Sequence, residues 1–118
     1  MNVEVKKWNV IKDKRGCLVP LEFKDLPFIP KRLFYVTKVP RYMRRGEHAH
    51  IETQQIIICV KGVVGVKLVD KESKYYILKE NDYIFVDKMV WDAQDFLTGD
   101  DILLVLCSTS YDKKDYIE

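Results

Sequence analysis

The chain has 118 residues, 47% of them hydrophobic and 32% charged, with a net charge of +2. That length fits one domain that can bury a core without staples, and the balance is ordinary for a soluble globular protein. It excludes a membrane helix, since no stretch approaches roughly 18–20 unbroken apolar residues, and it gives no strong pull toward nucleic acid.

MNVEVKKWNV has no apolar h-region, so no secretory signal is expected. VEVKKWNVI alternates apolar and polar residues, as a half-buried strand does. KDKRG reads as a turn, and CLVPLEF as a short strand interrupted by proline. Pro27 and Pro30 bracket a loop before the strand KRLFYVTKV, and PRYMRRGE reads as another loop. Its Arg41, Arg44 and Arg45 form a local basic cluster suited either to an anionic ligand or to a solvated turn.

HAHIETQQIIICVKG, GVVGVKLVD, KYYILKE, YIFVDKMVW and DILLVLCSTS follow as strand signals, rich in β-branched and aromatic residues. SYDKKDYIE reads as a single helical turn or a tail. No window has a convincing helical period, and many short strands with regular turns predict an all-β sandwich or barrel, one domain over 1–118. Cys17, Cys59 and Cys107 are odd in number and far apart. Cys59 and Cys107 sit in apolar runs, as buried free thiols do, and a reducing cytoplasm is the expected compartment.

GEHAHIETQQ holds the only two histidines, His48 and His50. On a strand they share a face, with Ala49 on the other. Three readings compete: metal ligands, a proton-transfer pair, or polar residues beside a core. Histidine titrates near neutral pH and can take and return a proton.

The spacing His48-x-His50, four residues, Gln55, six residues, Gly62 resembles the first motif of the cupin barrels. Metal-binding cupins usually carry glutamate where Gln55 stands. NDYIFVDKMVWD resembles the second motif, with Asn81 for its glycine, Asp87 for its proline and Asp92 where a third histidine would sit. The ligand set thus reads His48, His50, Gln55 and Asp92. Glutamine is a poor ligand, but two histidines and an inward-facing Asp92 would still hold iron(II) facially.

The ordered set DKRGCL, PFIPKRLFYV, RRGEHAH, ICVKG, VW and LLVLCSTSYDKKDYI is similar to the sugar 3,4-ketoisomerases that act on dTDP-4-keto-6-deoxyglucose, WxcM-like cupins, over nearly the whole chain. The resemblance implies a jelly-roll barrel of two antiparallel sheets, a homodimer that exchanges strands, and catalysis without metal or cofactor. The product would feed amino-sugar synthesis for surface polysaccharide. It implies His48 as the base, and His50 as a proton shuttle or a contact for the sugar or enediolate. Arg45 and Arg15 would meet the diphosphate, Gln55 a sugar hydroxyl, and Trp91 a wall of the sugar pocket. Some family members carry a proton-assisting tyrosine where this chain has Phe34. Here Tyr35 is the nearest tyrosine, a candidate substrate contact, although alternation aims it the other way. WDAQDF is one residue shorter than expected between the tryptophan and the Asp95-Phe96 pair. The competing expectations are an iron-dependent cupin oxygenase using His48, His50 and Asp92, and a non-catalytic nucleotide-sugar-binding cupin.

Overall fold

A computed structural model describes residues 2–118. It contains twelve strands: β1 Lys6–Lys7, β2 Ile11–Asp13, β3 Gly16–Leu18, β4 Arg32–Val36, β5 Arg44–His50, β6 Gln55–Lys61, β7 Val64–Val69, β8 Ser73–Leu78, β9 Asp82–Val86, β10 Trp91–Phe96, β11 Ile102–Cys107 and β12 Tyr116–Ile117. One five-stranded sheet runs β1-β9-β6-β11-β4 and the other β12-β5-β10-β7-β8, while β2 and β3 form a separate hairpin. Every pairing is antiparallel. The all-β cupin architecture expected from the sequence is the one observed. Among the described residues no helix is long and apolar enough to cross a membrane.

The inner faces of the two sheets meet in a core that includes Ile57, Val66, Leu68, Leu78, Ile84 and Phe96. The central strand β6 reads as an unbroken apolar run because both its faces are covered. Ile57 and Cys59 point into the barrel, while Ile56 and Ile58 pack outside against Trp8, Leu21, Leu26 and Phe28 of the N-terminal segment. Trp8 stacks on Tyr83 with ring centroids 4.1 Å apart. Cys59 and Cys107 are buried and unpaired, as expected, and Cys17 is exposed.

Three expected boundaries differ. HAHIETQQIIICVKG is two strands in different sheets, broken by a turn over residues 51–54. Asp115 holds that turn, accepting from Glu52 N at 2.7 Å and from Thr53 Oγ1. PRYMRRGE is not all loop, because β5 begins at Arg44. Gly46 and Glu47 have positive φ there, opposite a register shift between Asp92 and Ala93, and this irregularity hides the strand from a period-2 reading. VEVKKWNVI pairs only at Lys6–Lys7 and from Ile11 onward. The C-terminal segment holds both elements of its expected alternatives: a single 3₁₀ turn, Lys113–Asp115, and then β12 against β5.

The β6–β7 turn depends on Gly62. Its φ is +87°, and a Cβ there would lie 2.0 Å from Asp101 Oδ1. That carboxylate is buried and accepts from Val63 N at 2.9 Å, Thr98 N at 3.0 Å and Thr98 Oγ1 at 2.6 Å, tying this turn to the β10–β11 loop. Gly62→Ala combines a strained backbone with displacement of Asp101. It is expected to destabilise the fold by about 1–3 kcal/mol in urea denaturation.

Candidate active site

The barrel is apolar at one end and polar at the other. At the polar end a cavity of about 410 Å³ opens between the sheets, within the range of roughly 300–1,000 Å³ typical of small-molecule sites. Side-chain alternation fills its walls. From β5 come Arg45 and His48, from β10 Asp92 and Gln94, from β6 Gln55 and Ile57, and from β4 Arg32, Phe34 and Val36. β12 brings Tyr116, and β11 contributes Leu103 and Val105 to the apolar side.

His48 is half-buried, and its Nδ1 lies 3.1 Å from the carbonyl oxygen of Gly46. A carbonyl only accepts, so Nδ1 carries the hydrogen and Nε2 keeps a free lone pair. Burial lowers the His48 pKa from 6.5, opposed by the Gly46 hydrogen bond, so the ring is neutral at pH 7. His50 is only 4% exposed and stands behind His48, with ring centroids 5.0 Å apart. Burial first, and then the neighbouring His48, push it down to about 4. Tyr116 packs against both rings at 4.7 and 4.6 Å.

Asp92 pairs across the sheet with His48 and is 1% exposed. Its Oδ1 accepts from Gln94 Nε2, while its Oδ2 is buried without a partner. Desolvation raises its pKa to about 7, opposed by the Gln94 hydrogen bond. Gly46 makes room for this arrangement: a Cβ there would lie 2.9 Å from Gln94 Oε1. Gln55 Nε2 is 3.8 Å from Cys107 Sγ. The Arg32 guanidinium lies over the rings of Phe34 at 4.9 Å and Tyr111 at 5.1 Å.

The cavity brings together His48, Arg45, Gln55 and the inward-facing Asp92. Four other expected contacts stand apart from it within one chain. His50 is screened by His48 and borders none of the cavity wall. Arg15 closes the β2–β3 hairpin, where Asp13 holds its guanidinium at 2.7 Å with the side chain 86% exposed. Trp91 precedes Asp92 and so faces the opposite side of β10. Tyr35 touches the cavity rim, but alternation leaves it 67% exposed. The basic cluster also divides. Arg45 turns inward, whereas Arg44 forms a two-pronged pair with Asp95 at 2.6 and 2.9 Å on the outer face. Asp95 also accepts from Tyr75 Oη at 2.8 Å. No group of three or more His, Cys, Asp and Glu is arranged to hold a metal ion among the described residues. The iron reading needs such a group.

Arg32, Gln94 and Tyr116 were not singled out from the sequence as site residues. For Arg32 the signal was present, since alternation in KRLFYV puts Arg32, Phe34 and Val36 on one face.

The family model FdtA: WxcM-like, C-terminal, matches residues 1–118. A TDP-4-oxo-6-deoxy-alpha-D-glucose-3,4-oxoisomerase from Aneurinibacillus thermoaerophilus is 32% identical over 120 residues, covering 99% of this chain and 86% of that protein. The crystal structure of QdtA, a sugar 3,4-ketoisomerase from Thermoanaerobacterium thermosaccharolyticum in complex with TDP, has a TM-score of 0.91 and 39% identity, over 98% of this chain and 87% of that one. A mutant of the same enzyme in complex with TDP-4-keto-6-deoxyglucose has a TM-score of 0.90 and 38% identity, over 98% and 86%.

The Asp92 environment has a consequence for stability. An unfolded aspartate titrates near 3.8, whereas this one titrates near 7. The folded state thus binds the proton more tightly. Above pH 7 both states are ionised and folding bears the full penalty of burying the charge. Between pH 7 and 4 that penalty shrinks, and below about 4 it is gone. Asp92→Asn is therefore expected to melt above the parent at pH 8, by the equivalent of roughly 4 kcal/mol at most, and level with it at pH 4. Thermal scans across that range check the trend.

Proposed function

The chain belongs to the FdtA family (WxcM-like, C-terminal), and on that ground we propose that it is a sugar-nucleotide 3,4-ketoisomerase acting on TDP-4-keto-6-deoxyglucose. The observation that carries the reading is a neutral imidazole, His48, whose Nε2 is free in a polar barrel cavity.

The C4 ketone acidifies the hydrogen at C3. His48 Nε2 removes that proton, and the electrons form an enediolate across C3 and C4. Return of a proton to C4 leaves the ketone at C3. The lowered His48 pKa keeps the base unprotonated at neutral pH. His50, buried and neutral, backs His48 from behind and acts through it, so the expected shuttle role narrows to holding the base in place. Arg45 and Arg32 supply cationic, forked donors for the diphosphate, and Gln55 presents an amide to a sugar hydroxyl. The 3-keto product suits a following amination for surface polysaccharide. The unpaired thiols of Cys17, Cys59 and Cys107 support a cytoplasmic setting.

The working unit in this reading is a homodimer. β4 is the edge of its sheet and exposes Leu33 beside Tyr35. The β2–β3 hairpin pairs with no other strand among the described residues and exposes Ile11 and Leu18. A strand-exchanged partner covers these apolar groups and receives Arg15 near its own cavity. Trp91 and Tyr35 keep their proposed contacts only through such a partner. Sedimentation at micromolar concentration should give a dimer, and a monomer that is fully active would refute this arrangement.

Incubation with TDP-4-keto-6-deoxyglucose in deuterated water should place label at C3 or C4 and yield a 3-keto product by proton spectroscopy. His48→Asn should reduce the rate by at least 10²–10⁴-fold while leaving the fold intact. Because the base must be neutral and its pKa is lowered, the acid limb of kcat/KM should fall below pH 6.5. Unchanged exchange in the variant would remove His48 from the mechanism.

A further inference from the structure

Moving a ketone from C4 to C3 transfers two protons. One goes from C3 to C4, and the other leaves the oxygen on C3 and arrives at the oxygen on C4. His48 accounts for the first. We propose that Asp92, as a carboxylic acid, carries the second, an inference that rests on the ketoisomerase reading.

Four observations support it. Asp92 lines the same cavity as His48 and stands directly across from it on the neighbouring strand, so both groups face one substrate. Its Oδ1 accepts from Gln94 Nε2, which marks Oδ1 as the carbonyl oxygen of an acid. Oδ2, buried and without a partner, is then the hydroxyl oxygen with its hydrogen free to donate. Burial also favours the neutral form, with a pKa near 7.

The rest of the cavity offers little competition. Arg32 and Arg45 stay cationic, and Gln55 and Gln94 are amides. Phe34 has no hydroxyl, and Tyr116 is packed against the imidazole rings. His48 and Asp92 are the two groups of that wall poised to exchange a proton near neutral pH.

The steps balance without a co-reactant. As His48 takes the C3 proton, the C3–C4 double bond forms and the C4 carbonyl electrons move to oxygen. That oxygen takes the proton from Asp92, giving an enediol and a carboxylate. The carboxylate then takes the proton from the C3 hydroxyl. The C3 carbonyl forms, and the double-bond electrons collect the proton of His48 at C4. Both side chains return to their starting states.

Asp92→Asn keeps the shape and a hydrogen-bond donor but has no proton to pass. Turnover of TDP-4-keto-6-deoxyglucose should fall about 10²-fold or more, with TDP affinity by calorimetry within about twofold of the parent, a threshold set to separate loss of chemistry from loss of binding. Infrared difference spectra of the parent at pH 6 should show a protonated carboxyl band that Asp92→Asn lacks. Turnover within about threefold of the parent, too small a change for the loss of an acid–base group, overturns the proposal. So does an Asp92 band that reads as carboxylate at pH 6. A parent protein that leaves the sugar unchanged, yet shows the carboxyl band, refutes the ketoisomerase reading instead.

Discussion

The pairing of β5 with β10 is the constraint on which the site depends. Asp92 opposes His48, and Gln94 opposes Arg45. Side chains alternate across a pleat, so this one register decides which polar groups enter the barrel and which stay outside. It sends His48, Arg45, Asp92 and Gln94 inward and leaves Asp95 to clasp Arg44 on the surface. A slip of one residue would exchange the two sets, burying the Arg44–Asp95 clasp and exposing the base. The core at the other end, built on Leu68, Leu78 and Phe96, holds the register because it too tolerates only one alternation.

Inside that frame the dominant electrostatic effect is desolvation. It lowers both histidines and raises Asp92, so groups that would carry charge in water stand neutral here. Neutrality is what a site for moving protons requires: an imidazole with a lone pair, and an acid with a hydrogen. The arginines lie on the same walls, so positive charge and neutral proton carriers share one pocket. This arrangement suits a ligand with an anionic end and an uncharged sugar end.

Much of this was legible in the sequence. The β-branched and aromatic runs carry the all-β reading, and the spacing from His48 to Gly62 carries the barrel. His48, Arg45 and Gln55 were visible as residues. What was hidden is mostly backbone irregularity. Positive φ at Gly46 and Glu47 turns a loop-like sequence into strand. The turn held by Asp115 puts Gln55 on the opposite sheet from the histidines, although only five residues separate it from His50. No period reveals such a fold-back, because its anchor lies more than sixty positions away. Arg15 was read from a local turn, but a turn says nothing about which cavity it faces. Asp92 was legible by position, whereas its missing partner was not, since an orphaned oxygen is a property of packing.

The placement of the pocket walls on both sheets has a mechanical consequence. His48 and Asp92 belong to one sheet, Gln55 and Arg32 to the other. A molecule gripping all four acts as a rivet through the sandwich, and its binding energy resists the two layers parting. Occupancy and rigidity thereby become one quantity, and the empty barrel is the looser one.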